Sequence, residues 1–257
     1  MTAVAAGRWA PDPGAAPPGR MLTAQTGMEL RLLLRNGEQV GLTLVIPLLL
    51  LVFFNLPFLY SLDGRRIDFV VPSIIALSVM SASFTGLAIG TAFERKYGVL
   101  KRLGATALPR SVLLLGKALA VLGLEGLQIA LVVVVGLLLG WHPHGDPVSV
   151  AVLVLAGTLA FGGLGLLIAG TLRAEVTLAA ANLAWLVLLF LGGIAVPLSR
   201  YPGALRDVLR LLPSAALSDG LHAVLQDGRI LPVRPLLTLL VWAAVALPAA
   251  TRWFRWE

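Results

Sequence analysis

The chain has 257 residues, 58% of them hydrophobic and only 13% charged. Soluble domains carry nearer a quarter charged residues, so a mean hydropathy of +0.90 places this chain among integral membrane proteins. The net charge of +7 does not make it a nucleic-acid binder, because the basic residues are spread between apolar runs and form no dense patch. The lack of cysteine excludes disulfides, thiolate metal sites and cysteine nucleophiles.

Residues 1–21 are rich in Ala, Pro and Gly and read as a disordered cytoplasmic tail. No apolar run follows Arg8, so they do not form a cleavable signal peptide. Residues 22–257 read as one transmembrane domain. Thr26-Gly27-Met28-Glu29 fits a capping box, with Glu29 reaching back three positions. Leu30, Leu33 and Leu34 then share a broad face opposite Arg31 and Arg35, the pattern of a helix lying in the membrane interface. Gly37 would end that helix; the plainer alternative is a leading turn of the first span.

Six stretches supply the roughly 20 apolar residues a membrane-crossing helix needs. They are 41–60, 69–93, 111–140, 148–172, 176–198 and 235–251, the last of which could begin as early as Ile230. Lipid offers no partner to backbone polar groups, and runs this long without strict alternation are helices rather than barrel strands. The fold class is therefore an all-α integral membrane protein with six transmembrane helices.

Lys and Arg set the orientation. With the N-terminus inside, twelve basic residues fall on the inner side and seven on the outer, which favours both termini in the cytoplasm. Lys117, near the inner end of the third span, is expected to snorkel to the interface. Between the second and third spans runs Phe93-Glu94-Arg95-Lys96-Tyr97-Gly98-Val99-Leu100-Lys101-Arg102-Leu103, which ends at a Leu108-Pro109 turn. It is a short basic helix broken from its span by Gly98 and exposed to water, a form suited to gripping a soluble partner. On the outer side, Leu205, Val208, Leu209 and Leu212, then Leu217, Leu221 and Leu225, recur at helical spacing around Pro213. They predict two short helices dipping into the outer leaflet.

Few residues carry chemistry. Gly116-Lys117 is the only Gly-Lys pair, and it has Ser111 and Ala118 where a phosphate-binding loop needs Gly and Ser or Thr. The chain thus carries no phosphate-binding loop of this kind. Glu125 sits midway along the third span with Gln128 three positions on, sharing a face. An acid there costs at least about 2.5 kcal/mol on insertion scales, so it faces the bundle or a wet cavity. It either contacts a cationic or polar part of a substrate or fixes helix packing. Asn182 in the fifth span suggests an interhelical hydrogen bond. The pairs Gly86/Gly90 and Gly136/Gly140, and Gly162, Gly163 and Gly165, suggest close helix packing. His142-Pro143-His144-Gly145-Asp146 lacks a complete metal-ligand set and reads as a tight turn, and His222 as a packing residue.

The layout over residues 22–257 resembles a permease subunit of the ABC-2 family of ATP-driven exporters. It is most similar to the drug and antibiotic branch, that of the daunorubicin-resistance permeases. The likeness is strongest from Phe93 to Lys117, with Ala107 where a Pro is common, and extends to the tail Arg252-Trp253-Phe254-Arg255-Trp256-Glu257. The resemblance implies that Glu94, Arg95, Lys96, Tyr97, Leu100, Lys101, Arg102 and Leu103 couple the chain to an ABC ATP-binding subunit. It implies ATP and Mg on that partner, a second identical or related permease chain, and a bacterial cytoplasmic membrane. The expected activity is outward movement of an amphiphilic or hydrophobic small molecule, with Glu125, Gln128 and Asn182 as candidates along its path. Export of a polysaccharide or glycolipid is the nearest alternative. A polytopic membrane enzyme or a scaffold is the more distant one.

Overall fold

The computed structural model describes residues 15–55 and 65–254. Every element in them is helical: α1 (Pro18–Arg35), α2 (Gly37–Asn55), α3 (Arg66–Met80), α4 (Leu87–Lys96), α5 (Val99–Gly104), α6 (Arg110–Leu138), α7 (Pro147–Thr171), α8 (Ala174–Leu191), α9 (Gly203–Leu209), α10 (Pro213–Leu225) and α11 (Val233–Trp253). Five helices, including α3 and α4 taken as one, are long and apolar enough to cross a membrane. They correspond to the second through sixth expected spans. The first falls on α2, whose apolar part is the shorter Thr43–Asn55, and residues 56–60 lie outside the described residues.

Several boundaries move, each for a local reason. Residues 18–21, expected to be disordered, are the first turn of α1, where Pro18 sits at the start of the helix with its φ preset. Thr26 therefore lies inside α1 and caps nothing, and Asn36 rather than Gly37 separates α1 from α2. The fifth span stops at Leu191 instead of residue 198, because Gly192 and Gly193 turn the chain, Gly193 at φ +71°. The sixth begins at Val233.

α3 and α4 form one span joined by a π-helical turn, Ser81–Gly86. Ser83 Oγ bonds to Val79 O, and the Leu87 amide reaches back five residues to Ala82 O. Such turns interrupt the ordinary ladder and cluster at functional places. Here the widened backbone meets α7 at Gly165, where an added Cβ would stand 2.7 Å from Phe84 O. Only glycine permits that approach.

α3 is buried almost throughout, as is much of α7, while α2 and α8 present long exposed apolar faces. α7 packs most extensively on α11, and α10 wedges against α3, α7 and α11. α9 and α10 make a 97° bend, so the two short helices of the long connection are present. The second of them enters the core: Leu217, Leu221 and Val224 are fully buried. The glycines divide by role. Gly163 meets the backbone of Leu247 on α11, which is helix packing. Gly140, at φ +85°, instead terminates α6 by donating to Leu137 O while Trp141 donates to Gly136 O, a left-handed helix stop. A Cβ added at Gly90 would meet nothing within 4 Å among the described residues of the other elements, and Gly90 lines a cavity.

Candidate functional site

One end of the bundle gathers α1, the end of α4, α5, the start of α6 and the end of α11. Arg110 reaches Phe254 O, and Phe254 packs where Gly170 closes α7. Within this end the segment after α4 sorts its residues by burial. Gly98, at φ +74°, breaks the chain between α4 and α5. Leu100 is fully buried in a cluster with Leu87, Leu113, Leu166 and Phe254, and Leu103 packs against its edge. These leucines hold α5 down, so Lys101 and Arg102 stand on its exposed side, with the exposed Tyr97 just before it at the end of α4. Arg95 bonds to Leu172 O and Lys96 to Glu175, which ties the end of α4 to the turn between α7 and α8.

Glu94 turns inward. Its carboxylate meets Lys117 Nζ at 2.6 Å through Oε2 and 2.8 Å through Oε1. The same ammonium lies 2.8 Å from Glu29 Oε1 on α1, which also accepts from Gln25 Nε2 at 2.8 Å. Lys117 therefore does not snorkel: its side chain is 3% exposed. Removing such a charge from water is costly unless well-placed opposite charges and hydrogen bonds compensate, and here two carboxylates do. Gly116 makes room for the contact, since a Cβ there would meet Gln25 Cγ at 2.7 Å. α1, α4 and α6 are thus pinned at one point, and α5 hangs from the same junction.

From this triad a cavity of about 430 Å³ runs along α2, α4 and α6 to Gln128, Asn182 and Trp185. Lys117 and Gln128 lie about 16 Å apart at 1.5 Å of rise per residue. A second cavity of about 310 Å³ continues past Leu50, Leu77 and Trp185, which line both. Its walls include Phe54, Phe69, Leu189 and Phe190, and it extends to Pro197. The pair forms a cleft with charge at one end and aromatic, apolar walls at the other.

The three polar residues of the spans separate. Gln128 lines the cleft and donates to Thr43 O at 2.8 Å. The reason is Pro47: lacking an N–H, it cannot serve the carbonyl four residues back, and Gln128 supplies the missing donor. Asn182 also lines the cleft, but its amide bonds to Leu178 O in its own helix, and the expected interhelical bond is absent among the described residues. Glu125 is fully buried and lies behind the cleft, at the seam with α7, where Thr158 Oγ1 donates to its Oε2 at 2.5 Å. The face shared by Glu125 and Gln128 in sequence thus meets two different neighbours. Sequence reasoning missed Trp185, whose Nε1 bonds to Ser81 Oγ on the π turn at 2.9 Å and which divides the cleft.

At the other end, Asp146 does not gather ligands with His142 and His144. It caps α7, accepting from the backbone and hydroxyl of Ser149, both at 2.9 Å. His222 does more than pack: its ring nitrogens lie 2.7 Å from Ser218 O and 3.2 Å from Phe69 O, which join α10 to α3.

Residues 22–225 match the family model described as ABC-2 type transporter. Two relatives cover most of the chain at low identity. YvfS of Bacillus subtilis (strain 168), whose name describes a transport permease, is 23% identical over 218 residues, 81% of this chain and 86% of its own. DrrC of Mycobacterium tuberculosis, whose name describes a doxorubicin resistance ABC transporter permease protein, is 25% identical over 244 residues, 90% of this chain and 87% of its own.

Proposed function

Because this chain belongs to the ABC-2 type transporter family, we propose that it is the membrane-spanning permease subunit of an ATP-driven exporter. It moves an amphiphilic or hydrophobic small molecule outward while a separate subunit hydrolyses ATP. The observation that carries this reading is the junction of α4, α5 and α6. The end of α4 and the short α5 present Tyr97, Lys101 and Arg102 to water and are fastened, through Glu94 and Lys117, to the mouth of the cleft. A push on α5 from a soluble partner reaches the cleft through two rigid attachments, the buried Leu100 and the ion triad. The cleft suits a molecule with a polar group near Gln128 and Asn182 and an apolar body against Phe54, Phe69 and Phe190.

In this reading both termini are cytoplasmic, the membrane is the bacterial cytoplasmic membrane, and a second permease chain covers the exposed faces of α2 and α8. ATP and Mg belong to the partner. The aromatic walls of the second cavity are the one feature that favours a polysaccharide or glycolipid cargo, since sugar rings stack on such faces.

The test is a mild-detergent pull-down of the tagged chain from its host, scored for an ATP-binding subunit and for ATPase activity. Lys101→Glu with Arg102→Glu is expected to lower recovery of that subunit and of ATPase by about tenfold or more, while the permease itself stays folded. A chain recovered without any nucleotide-binding partner, or a variant with undiminished ATPase, would overturn the reading.

A further inference from the structure

One cavity belongs to neither the junction nor the cleft. It lies where α10 leads into α11, encloses about 420 Å³, and is lined by Arg210, Asp219, His222, Asp227, Arg229 and Arg234 among others. α11 starts here at Val233 and ends at Trp253 beside the α5 junction, so this cavity is at the opposite end of the bundle.

Its charges are held loosely. Arg210 Nε stands 3.8 Å from Asp219 Oδ2, and Arg229 Nε 3.5 Å from Asp227 Oδ2. Both distances exceed the ordinary N–H···O range of about 2.7–3.2 Å. Asp207 approaches Arg210 at 3.6 Å from outside the cavity, and its side chain is 67% exposed. Arg234 has no acidic partner within ion-pair distance among the described residues. The guanidinium N–H groups of Arg210, Arg229 and Arg234 make no hydrogen bond there either. His222 forms part of the wall but is already engaged with Ser218 O and Phe69 O. Three guanidiniums and two carboxylates leave the lining with one formal positive charge in excess.

The chain beside these lining residues has the opposite character. Leu211, Ile230, Val233 and Leu237 are 60%, 77%, 68% and 55% exposed. Trp242 Nε1 bonds to Leu211 O at 2.8 Å and fixes that corner against α11. A polar basic cavity whose charged residues are interleaved in the chain with exposed aliphatic ones, at the end of membrane-crossing helices, matches an amphiphile at the membrane interface. Arginine is suited to it, because its planar fork can bond two phosphate oxygens at once.

We propose that this cavity binds the phosphodiester of a glycerophospholipid head group. Arg229 and Arg234 are its principal cations, and the acyl chains lie over Ile230, Val233 and Leu237. One phosphodiester neutralises the excess charge of the lining and occupies the donors that the aspartates stand too far away to use. The site does not depend on transport and is read by binding alone.

The test uses the full chain in mild detergent and native mass spectrometry. The probes are phosphatidylglycerol, a diacylglycerol with the same chains, and inorganic phosphate. Phosphatidylglycerol is expected to stay bound, with retention falling about tenfold or more in Arg229→Gln with Arg234→Gln. Diacylglycerol is not expected to be retained, and Lys101→Gln with Arg102→Gln at the far end is expected to leave retention unchanged. Both arginines of the first variant are exposed, and far-end variants with the same charge loss control for non-specific attraction. Equal retention of the two lipids would overturn the proposal, as would undiminished retention in the arginine variant or an equal loss in the far-end variant. Displacement by inorganic phosphate at concentrations comparable to the lipid would assign the cavity to free phosphate and overturn the lipid.

Discussion

The two ends of the bundle hold charge in opposite ways. At the α1–α4–α6 junction one lysine, 3% exposed, lies within 2.8 Å of two carboxylates. At the α10–α11 corner, arginines and aspartates face each other at 3.5–3.8 Å, with side chains 35–70% exposed. Burial explains the difference. Where water is excluded, every charge must find a partner at contact distance, so the pairs become structural joints. Where water remains, pairing contributes little and the groups stay available to an incoming ligand.

The sharpest way to break this contrast is to remove the ammonium. Lys117→Met leaves Glu29 and Glu94 facing each other, and it is expected to destabilise the chain by roughly 3–5 kcal/mol. Thermal unfolding in detergent would show a large fall in midpoint. Adding Glu29→Gln and Glu94→Gln to Lys117→Met should recover most of the loss, because an uncharged cluster of similar shape has no uncompensated charge. If Lys117→Met alone unfolds like the native chain, the junction is not the joint described here.

A neutral version of the same argument lies midway between the ends. Gln128→Leu strips the donor from Thr43 O, whose own helix cannot replace it because of Pro47. The expected cost is about 1 kcal/mol, at the low end for a buried lost partner, since Gln128 Oε1 has no partner of its own to lose. Pro47→Ala should offset it by restoring an N–H four residues after Thr43. The two changes should therefore couple in a double-mutant cycle; strict additivity would show that Gln128 does not serve that carbonyl.

These contrasts also mark what the chain reveals before it is folded. α6, α7 and α11 announce themselves as long, mostly apolar runs with Pro, Asp or Gly at their ends, and their observed limits fall within about two residues of those read from the pattern. Hydropathy cannot say which apolar helix is central, so buried α3 and exposed α2 look alike. The π turn is equally silent, because Ser81–Gly86 fits an ordinary helix pattern and its contacts with α7 and α8 appear only in the fold. The basic segment around Lys101 was visible because its charges are contiguous. The triad was not: Glu29, Glu94 and Lys117 come from three separate helices, and Lys117 alone looks like a residue reaching for water. Glu125 stood out as an intramembrane acid, but only the fold separates it from Gln128 by giving it Thr158 as a neighbour.

The smallest expected effect tests the exposed side of the contrast. Asp146 caps α7 at the same end as the arginine cavity, and its hydrogen bonds from the Ser149 backbone and hydroxyl hold its carboxyl below the usual aspartate range. A depressed folded value means that the cap contributes fully above the unfolded value of about 3.9 and loses its contribution as pH falls through the lower folded value. Between pH 7 and 5 the cap should therefore be indifferent to pH, and its loss should appear only below about pH 4. Asp146→Asn keeps an acceptor for the Ser149 amide and should remove that acid-limb dependence while lowering the unfolding midpoint only slightly. Ser149 Oγ also accepts from the Leu231 amide at 3.2 Å, so the cap reaches the start of α11. Asp146→Ala should accordingly raise hydrogen exchange at Leu231 as well as at Ser149. If Leu231 stays protected, the cap is confined to α7 and the cavity at α10–α11 is shaped without it.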